Sequence, residues 1–187
     1  MSALLIFLAI LIIAGGFLVG IYNSLIARKN QIDYAQGSID ALLKKRFDLI
    51  PNLVATVKGY ATHERELLEK VTELRSRIGQ AKNDDERMGL ESQMSGLLGR
   101  LLVQLEAYPD LKANQNFLQL QAALNEVEEQ ISAARRSYNA AVVDFNNAIE
   151  MFPSNMVAKW MGLKQRKVFE VEESEAVAPN VGELFGN

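Results

Sequence analysis

The stretch from Ala3 to Tyr60 leaves this chain little freedom. Residues Ala3 to Ile21 carry no charge, and they pass without a helix breaker into a charged segment whose apolar residues keep a helical spacing. At ~1.5 Å per residue such a run is just long enough to cross a hydrocarbon core of ~30 Å. The expectation is one long helix, half in lipid and half in water. A cleaved signal peptide is the competing reading, but it needs a basic n-region and a small-residue cleavage site, and Met1-Ser2-Ala3 supplies no basic side chain. Tyr22 lies where an interfacial aromatic belongs. Arg28 and Lys29 follow it, with Lys44, Lys45 and Arg46 further on, so the positive-inside rule places the amino terminus outside and the remainder in the cytoplasm, a periplasmic domain being the alternative. Gly16 and Gly20 form a GxxxG pair that lets backbones approach closely in lipid; the plainer reading is that glycine is simply common in membrane helices.

Beyond the membrane, Leu25, Ile32, Ala35, Ile39, Leu42, Phe47, Ile50, Val54 and Val57 recur at helical steps. Pro51 removes a backbone donor inside this face and predicts a kink near Phe47 rather than a stop. Gly59-Tyr60-Ala61-Thr62 is the expected break, with Thr62 capping a second helix that carries Leu67, Val71, Leu74 and Ile78. A third helix begins near Asp84 or Asp85, shows Leu90, Met94, Leu97, Leu98, Leu101, Leu102 and Leu105 on one face, and stops before Pro109. Asn114 then caps a long helix whose apolar residues, Phe117, Leu120, Leu124, Val127, Ile131, Ala134, Tyr138, Ala141, Phe145 and Ala148, alternate steps of three and four. That period, near 3.5, predicts coiled-coil-like packing. The fold class expected is all-α: a single N-terminal transmembrane helix continuing into an elongated antiparallel helical bundle, without strands. The boundaries are residues 1–29 for the anchor and juxtamembrane segment, 30–152 for the bundle and 153–187 for an amphipathic and acidic tail.

That tail begins at Phe152-Pro153-Ser154. Met156, Val157, Trp160, Met161 and Leu163 are interleaved with Lys159, Lys164, Arg166 and Lys167, a pattern suited to a helix lying on a membrane surface, or else to Trp160 plugging the end of the bundle. Glu170 to Glu175 reads as a solvated acidic run. Val181, Leu184 and Phe185 are the side chains by which the last residues would dock, on this chain or on a partner.

Chemistry is thinly represented. With no cysteine, disulfides, thiolate zinc sites and thiol nucleophiles drop out together. The net charge of −3 gives no basic face for nucleic acid. His63-Glu64 opens like a zinc helix motif, but Leu67 stands where the second histidine belongs and the chain has a single histidine. Glu64, Glu66, Glu69 and Glu73 alternate with Arg65, Lys70, Arg75 and Arg77 at spacings of exposed helical ion pairs. No catalytic residue, cofactor, metal or small-molecule substrate is expected.

Several stretches carry a resemblance: Tyr22-Asn23-Ser24-Leu25, Leu43-Lys44-Lys45-Arg46-Phe47-Asp48-Leu49-Ile50-Pro51-Asn52-Leu53-Val54, Val57-Lys58-Gly59-Tyr60-Ala61-Thr62-His63-Glu64, Tyr108-Pro109-Asp110-Leu111-Lys112-Ala113-Asn114 and Phe152-Pro153-Ser154-Asn155. In these the chain resembles the LemA family, and Ala178-Pro179-Asn180-Val181 is similar to that family's ending, although the residues after it depart from the pattern. The resemblance implies a bacterial membrane-anchored helical bundle without established enzymatic activity, linked to membrane stress, to membrane-protease neighbourhoods and in one branch to magnetosome membranes. It offers no catalytic residues to carry over. The function expected is a scaffold or adaptor acting by self-assembly or by binding other membrane proteins at the inner membrane. The alternatives are a protein that binds or remodels the membrane surface directly and an accessory factor of a membrane protease. Homo-oligomerisation is expected from the GxxxG pair, the heptads and a small-residue stripe at Ala133, Ala134, Ala140 and Ala141.

Overall fold

The computed structural model describes residues 2–60 and 64–169. The expected Thr62 cap, His63, the acidic run after Phe169 and the docking residues Val181, Leu184 and Phe185 lie outside the described residues. Six helices account for most of the rest: α1 (Ser2–Val57), α2 (Arg65–Gly79), α3 (Asp84–Leu105), α4 (Pro109–Lys112), α5 (Gln115–Glu150) and α6 (Ser154–Trp160). No strand occurs among the described residues. The apolar run and the wet segment are one helix, which passes through Pro51 and ends at Val57, just before Gly59.

Helix boundaries follow local chemistry. The Asn83 side chain accepts from the Glu86 N–H at 2.8 Å, while the Glu86 carboxylate reaches back to the Lys82 N–H at 3.0 Å, and α3 starts there. Asn114 caps α5 through the Phe117 N–H at 3.2 Å, as its position suggested. After α3 stops, the chain does not form a plain loop: with Pro109 pre-set for a first helical turn it winds into α4 and buries Leu111.

The chain divides into two compact units, one of residues Gln36–Ala134 and one formed by the described parts of Met1–Ala35 and Arg135–Asn187, so that α1 and α5 contribute to both. In the first, Ile50, Leu53 and Val57 of α1, Leu68, Val71, Leu74 and Ile78 of α2, Leu90, Met94, Leu98, Leu101 and Leu105 of α3, Leu111 of α4, and Phe117 and Leu124 of α5 form a continuous core. Leu68 rather than the expected Leu67 is the buried leucine at the start of α2. In the second unit Ile32 packs with Val142 and Phe145, and Tyr138, Ala141, Ile149 and Leu163 close around them. Arg28 and Asp144 form an ion pair at the edge of this smaller cluster.

Candidate functional site

The buried stripe of α1 is Ile32, Ala35, Ile39, Leu43, Arg46, Ile50, Leu53 and Val57. Its steps of three and four are those of a heptad seam. Leu42, Phe47 and Val54, expected on this seam, flank it half-buried instead. The reason is Arg46, which occupies a seat between Leu43 and Ile50 that the pattern reserves for an apolar side chain. It is 1 % exposed. It lies inside the bundle, unlike its exposed neighbours Lys44 and Lys45.

Both terminal nitrogens of the Arg46 guanidinium are engaged. Nη1 donates to Ser95 Oγ and to Glu128 Oε1, both at 2.6 Å, while Nη2 donates to the Glu91 carbonyl at 3.0 Å and also to the Glu91 carboxylate. Ser95 Oγ donates in turn to Glu128 Oε2 at 2.9 Å, so both oxygens of that carboxylate have partners. Three helices, α1, α3 and α5, thus converge on one planar cation. Glu91 is buried with it, whereas the Glu128 side chain keeps 28 % exposure and connects the cluster to solvent. Arginine suits such a seat because its fork of donors satisfies several acceptors at fixed angles. A buried charge is tolerated only when it is paired in this way.

A second polar lock forms around Pro51. Lacking an N–H, Pro51 leaves the carbonyl four residues earlier, that of Phe47, without its helical donor. Arg75 Nε of α2 donates to that carbonyl at 3.2 Å, and the same guanidinium lies 3.9 Å from the centroid of the Phe47 ring. At the α4 junction, Tyr108 Oη donates to Glu64 Oε1 at 3.0 Å and Asn114 Nδ2 donates to Tyr60 Oη at 3.0 Å. Desolvation and the Glu64 carboxylate together hold the Tyr108 phenol above its ordinary pKa.

In the other unit, Ser154 Oγ donates to the carbonyls of Ala148 and Met151 at the end of α5, at 2.6 and 2.9 Å. Helix α6 is shorter than the amphipathic pattern suggested. Gly162, at φ +67°, ends it with paired bonds from Gly162 N to Lys159 O and from Leu163 N to Ala158 O, a Schellman closure. Residues 163–169 then run back along α5 without helical or strand structure. Two asparagines hold them: Asn146 accepts from the Arg166 N–H and donates to the Arg166 carbonyl, both at 2.9 Å, and Asn139 does the same for Phe169 at 2.7 and 3.0 Å. The Phe169 ring stands edge-on to Tyr138 at 4.8 Å.

The residues singled out in the sequence are therefore dispersed. Gly16, Gly20 and Tyr22 are exposed on the apolar part of α1. Pro51 lies at the Arg75 lock. Lys159 and Trp160 close α6, while Lys164, Arg166 and Lys167 stand exposed on the extended segment rather than on a helix. Leu18, Val19 and Tyr22 line a cleft of about 580 Å³ together with Met156, Val157 and Trp160. Among the described residues no group of three or more His, Cys, Asp or Glu side chains is placed to hold a metal. The Arg46 cluster was missed because an arginine beside two lysines looks like surface; the signal was the run of three- and four-residue steps that continues straight through it.

The match that decides the relationship is to the LemA family model, which covers residues 35–182. The chain belongs to the LemA family. It is 34 % identical to Protein LemA of Metamycoplasma hominis over 167 residues, covering 89 % of this chain and 76 % of that protein. It is 21 % identical to magnetosome protein MamQ 2 of Paramagnetospirillum magneticum and 20 % identical to magnetosome protein MamQ of Magnetospirillum gryphiswaldense, spanning 64 % of the length of each. The LemA-like stretches have structural work to do here. The stretch at 43–54 supplies Arg46 and the Phe47–Pro51 lock, those at 57–64 and 108–114 meet through Tyr108, Glu64, Tyr60 and Asn114, and Ser154 of the stretch at 152–155 closes α5.

Proposed function

We propose that this LemA-family chain is a non-catalytic scaffold of a bacterial cytoplasmic membrane, crossing it once through Ala3–Ile21 with the amino terminus outside. One observation carries the reading: the same uninterrupted helix, α1, provides an apolar segment long enough to span a bilayer, exposed along its length, and the seam on which the helical core is built. The buried polar groups described above bind helices to one another, which suits a protein that holds partners rather than one that turns over a substrate. Magnetosome proteins among its relatives fit a role tied to a membrane.

Self-assembly is part of the proposal. Nothing lies within 4 Å of where a side chain would project from Gly16 or Gly20, so this face of α1 is open to close approach by a second copy. Mass photometry of the full chain in nanodiscs tests it. A species several times the 20.8 kDa of one chain is expected, shifted toward monomer when Gly16→Ile and Gly20→Ile are combined. A wild-type protein that runs as a monomer at micromolar concentration overturns self-assembly, and in-cell crosslinking with mass spectrometry that recovers no membrane-protein partner overturns the scaffold.

A further inference from the structure

The cleft between α1 and α6 is the part of the molecule that the scaffold reading does not use. Its α1 wall, Leu18, Val19 and Tyr22, is the last turn of the apolar run, where a helix that crosses the bilayer leaves it. Its other wall is α6, and α6 with the turn before it is unusually apolar for a surface in water: Trp160 is 80 % exposed and Met156 64 %, and in the turn Phe152 is 81 % and Met151 65 %. Met156 and Trp160 are four residues apart, hence on one side of the helix, and Met151 and Phe152 lie in the turn that precedes it. Residues 151–169 contain Lys159, Lys164, Arg166 and Lys167 and no acidic residue, so every charge this stretch contributes is basic.

We propose that α6 and the Met151–Phe152 turn before it are a second membrane-contacting element. In this arrangement α6 lies in the headgroup region of the leaflet from which α1 emerges. Met151, Phe152, Met156 and Trp160 insert among the upper acyl carbons, a phospholipid chain occupies the cleft against Leu18 and Val19, and the lysines meet anionic headgroups. The inference rests on the reading that α1 crosses the bilayer. Continuity commits the patch to lipid. Groups that line a cleft with the membrane-exit turn of α1 stand at the depth of the interface, where tryptophan's apolar ring and its N–H both find suitable surroundings. A short helix with bulky apolar residues on one side and basic ones around it is the composition of an interfacial element.

Trp160 is the only tryptophan in the chain, so its fluorescence reports on this site without background. The full chain is reconstituted into phosphatidylcholine vesicles, with and without phosphatidylglycerol, using either ordinary lipid or lipid brominated near the carboxyl end of the acyl chains. Co-flotation with the vesicles, resistant to carbonate, tests the anchor separately. Given that, Trp160 emission is expected to be blue-shifted, strongly quenched by the brominated chains and poorly quenched by aqueous acrylamide. Phosphatidylglycerol is expected to strengthen bromine quenching in wild type and not in a variant combining Lys159→Gln, Lys164→Gln, Arg166→Gln and Lys167→Gln. Three results overturn the proposal in protein that still floats: emission at the water-exposed wavelength with full acrylamide quenching, shielding from acrylamide without bromine quenching, which would mean that protein covers the patch, and indifference of wild type to phosphatidylglycerol. Failure to float overturns the anchor instead.

Discussion

Replacing Arg46 separates two accounts of a buried charge, as a contributor of stability and as a device that fixes which helix faces meet. Arg46→Ala strips the buried Glu91 carboxylate of its cation, and losses from breaking a buried pair run to roughly 3–5 kcal/mol. Arg46→Lys is expected to rescue only part of this, because an ammonium cannot reach Ser95, Glu91 and Glu128 together in the planar arrangement observed. Glu128→Gln, at the solvated end, is expected to cost about 1–2 kcal/mol. Denaturant unfolding of the full chain in micelles, followed by far-UV dichroism, checks the order. If Arg46→Met combined with Glu91→Leu and Glu128→Met restores stability yet broadens the amide spectrum, the cluster fixes register rather than adding stability. Tyr108 supplies a pH test at the same scale. Its pKa is raised in the folded protein, so the contribution of its phenol is fully present below the unfolded value of about 10 and is lost as pH rises through the folded one. Tyr108→Phe should therefore flatten the fall in stability on the alkaline side of pH 10 and leave the neutral range without that dependence.

Between elements, the Pro51 lock makes a coupling prediction. Arg75→Ala removes the donor that serves the Phe47 carbonyl and the guanidinium over its ring, an expected loss of about 1 kcal/mol. Pro51→Ala gives that carbonyl its helical donor back and should leave the protein folded. In the Pro51→Ala background Arg75→Ala should cost less than in wild type, and a double-mutant cycle with no coupling would show the two residues to be independent. Helix identity was legible in the sequence, because periodicity survives over long segments and caps such as Asn114 act locally. Partners across elements were not. Nothing local to Arg46, Arg75 or Asn146 shows that each reaches a residue at least 20 positions away, and the apolar ranking that placed Leu42 and Phe47 on the seam could not know that a cation would be paired there.

For the whole molecule, orientation yields to a simple experiment. Among the described residues, the burial of Arg46 and the pairing of Arg28 with Asp144 leave Lys29 as the nearest cation of the positive-inside argument outside an ion pair. Because the protein lacks cysteine, Ser2→Cys and Ser137→Cys are unambiguous probes. Impermeant maleimide on intact cells is expected to label the first and spare the second; labelling of Ser137→Cys from outside would place the helical portion beyond the membrane. The long apolar helix was legible from composition alone, whereas the partition into two units was not, since α1 and α5 each contribute to both and no break in either sequence marks the boundary.

The asparagine pair that holds the segment after α6 has an arithmetic of its own. Asn139 and Asn146 are seven helical residues apart, about 10 Å along α5, and they grip Phe169 and Arg166, three residues apart. Three residues of a threefold extended chain advance about 9 Å and return to the same side, whereas a pleated strand would turn the two residues to opposite sides. The segment is thus gauged against the helix like a vernier, by length and by phase at once. Inserting a single glycine between Arg166 and Phe169 should release the second grip while sparing the first, a loss of Phe169 amide protection in hydrogen exchange that no change of side-chain chemistry in the segment would reproduce.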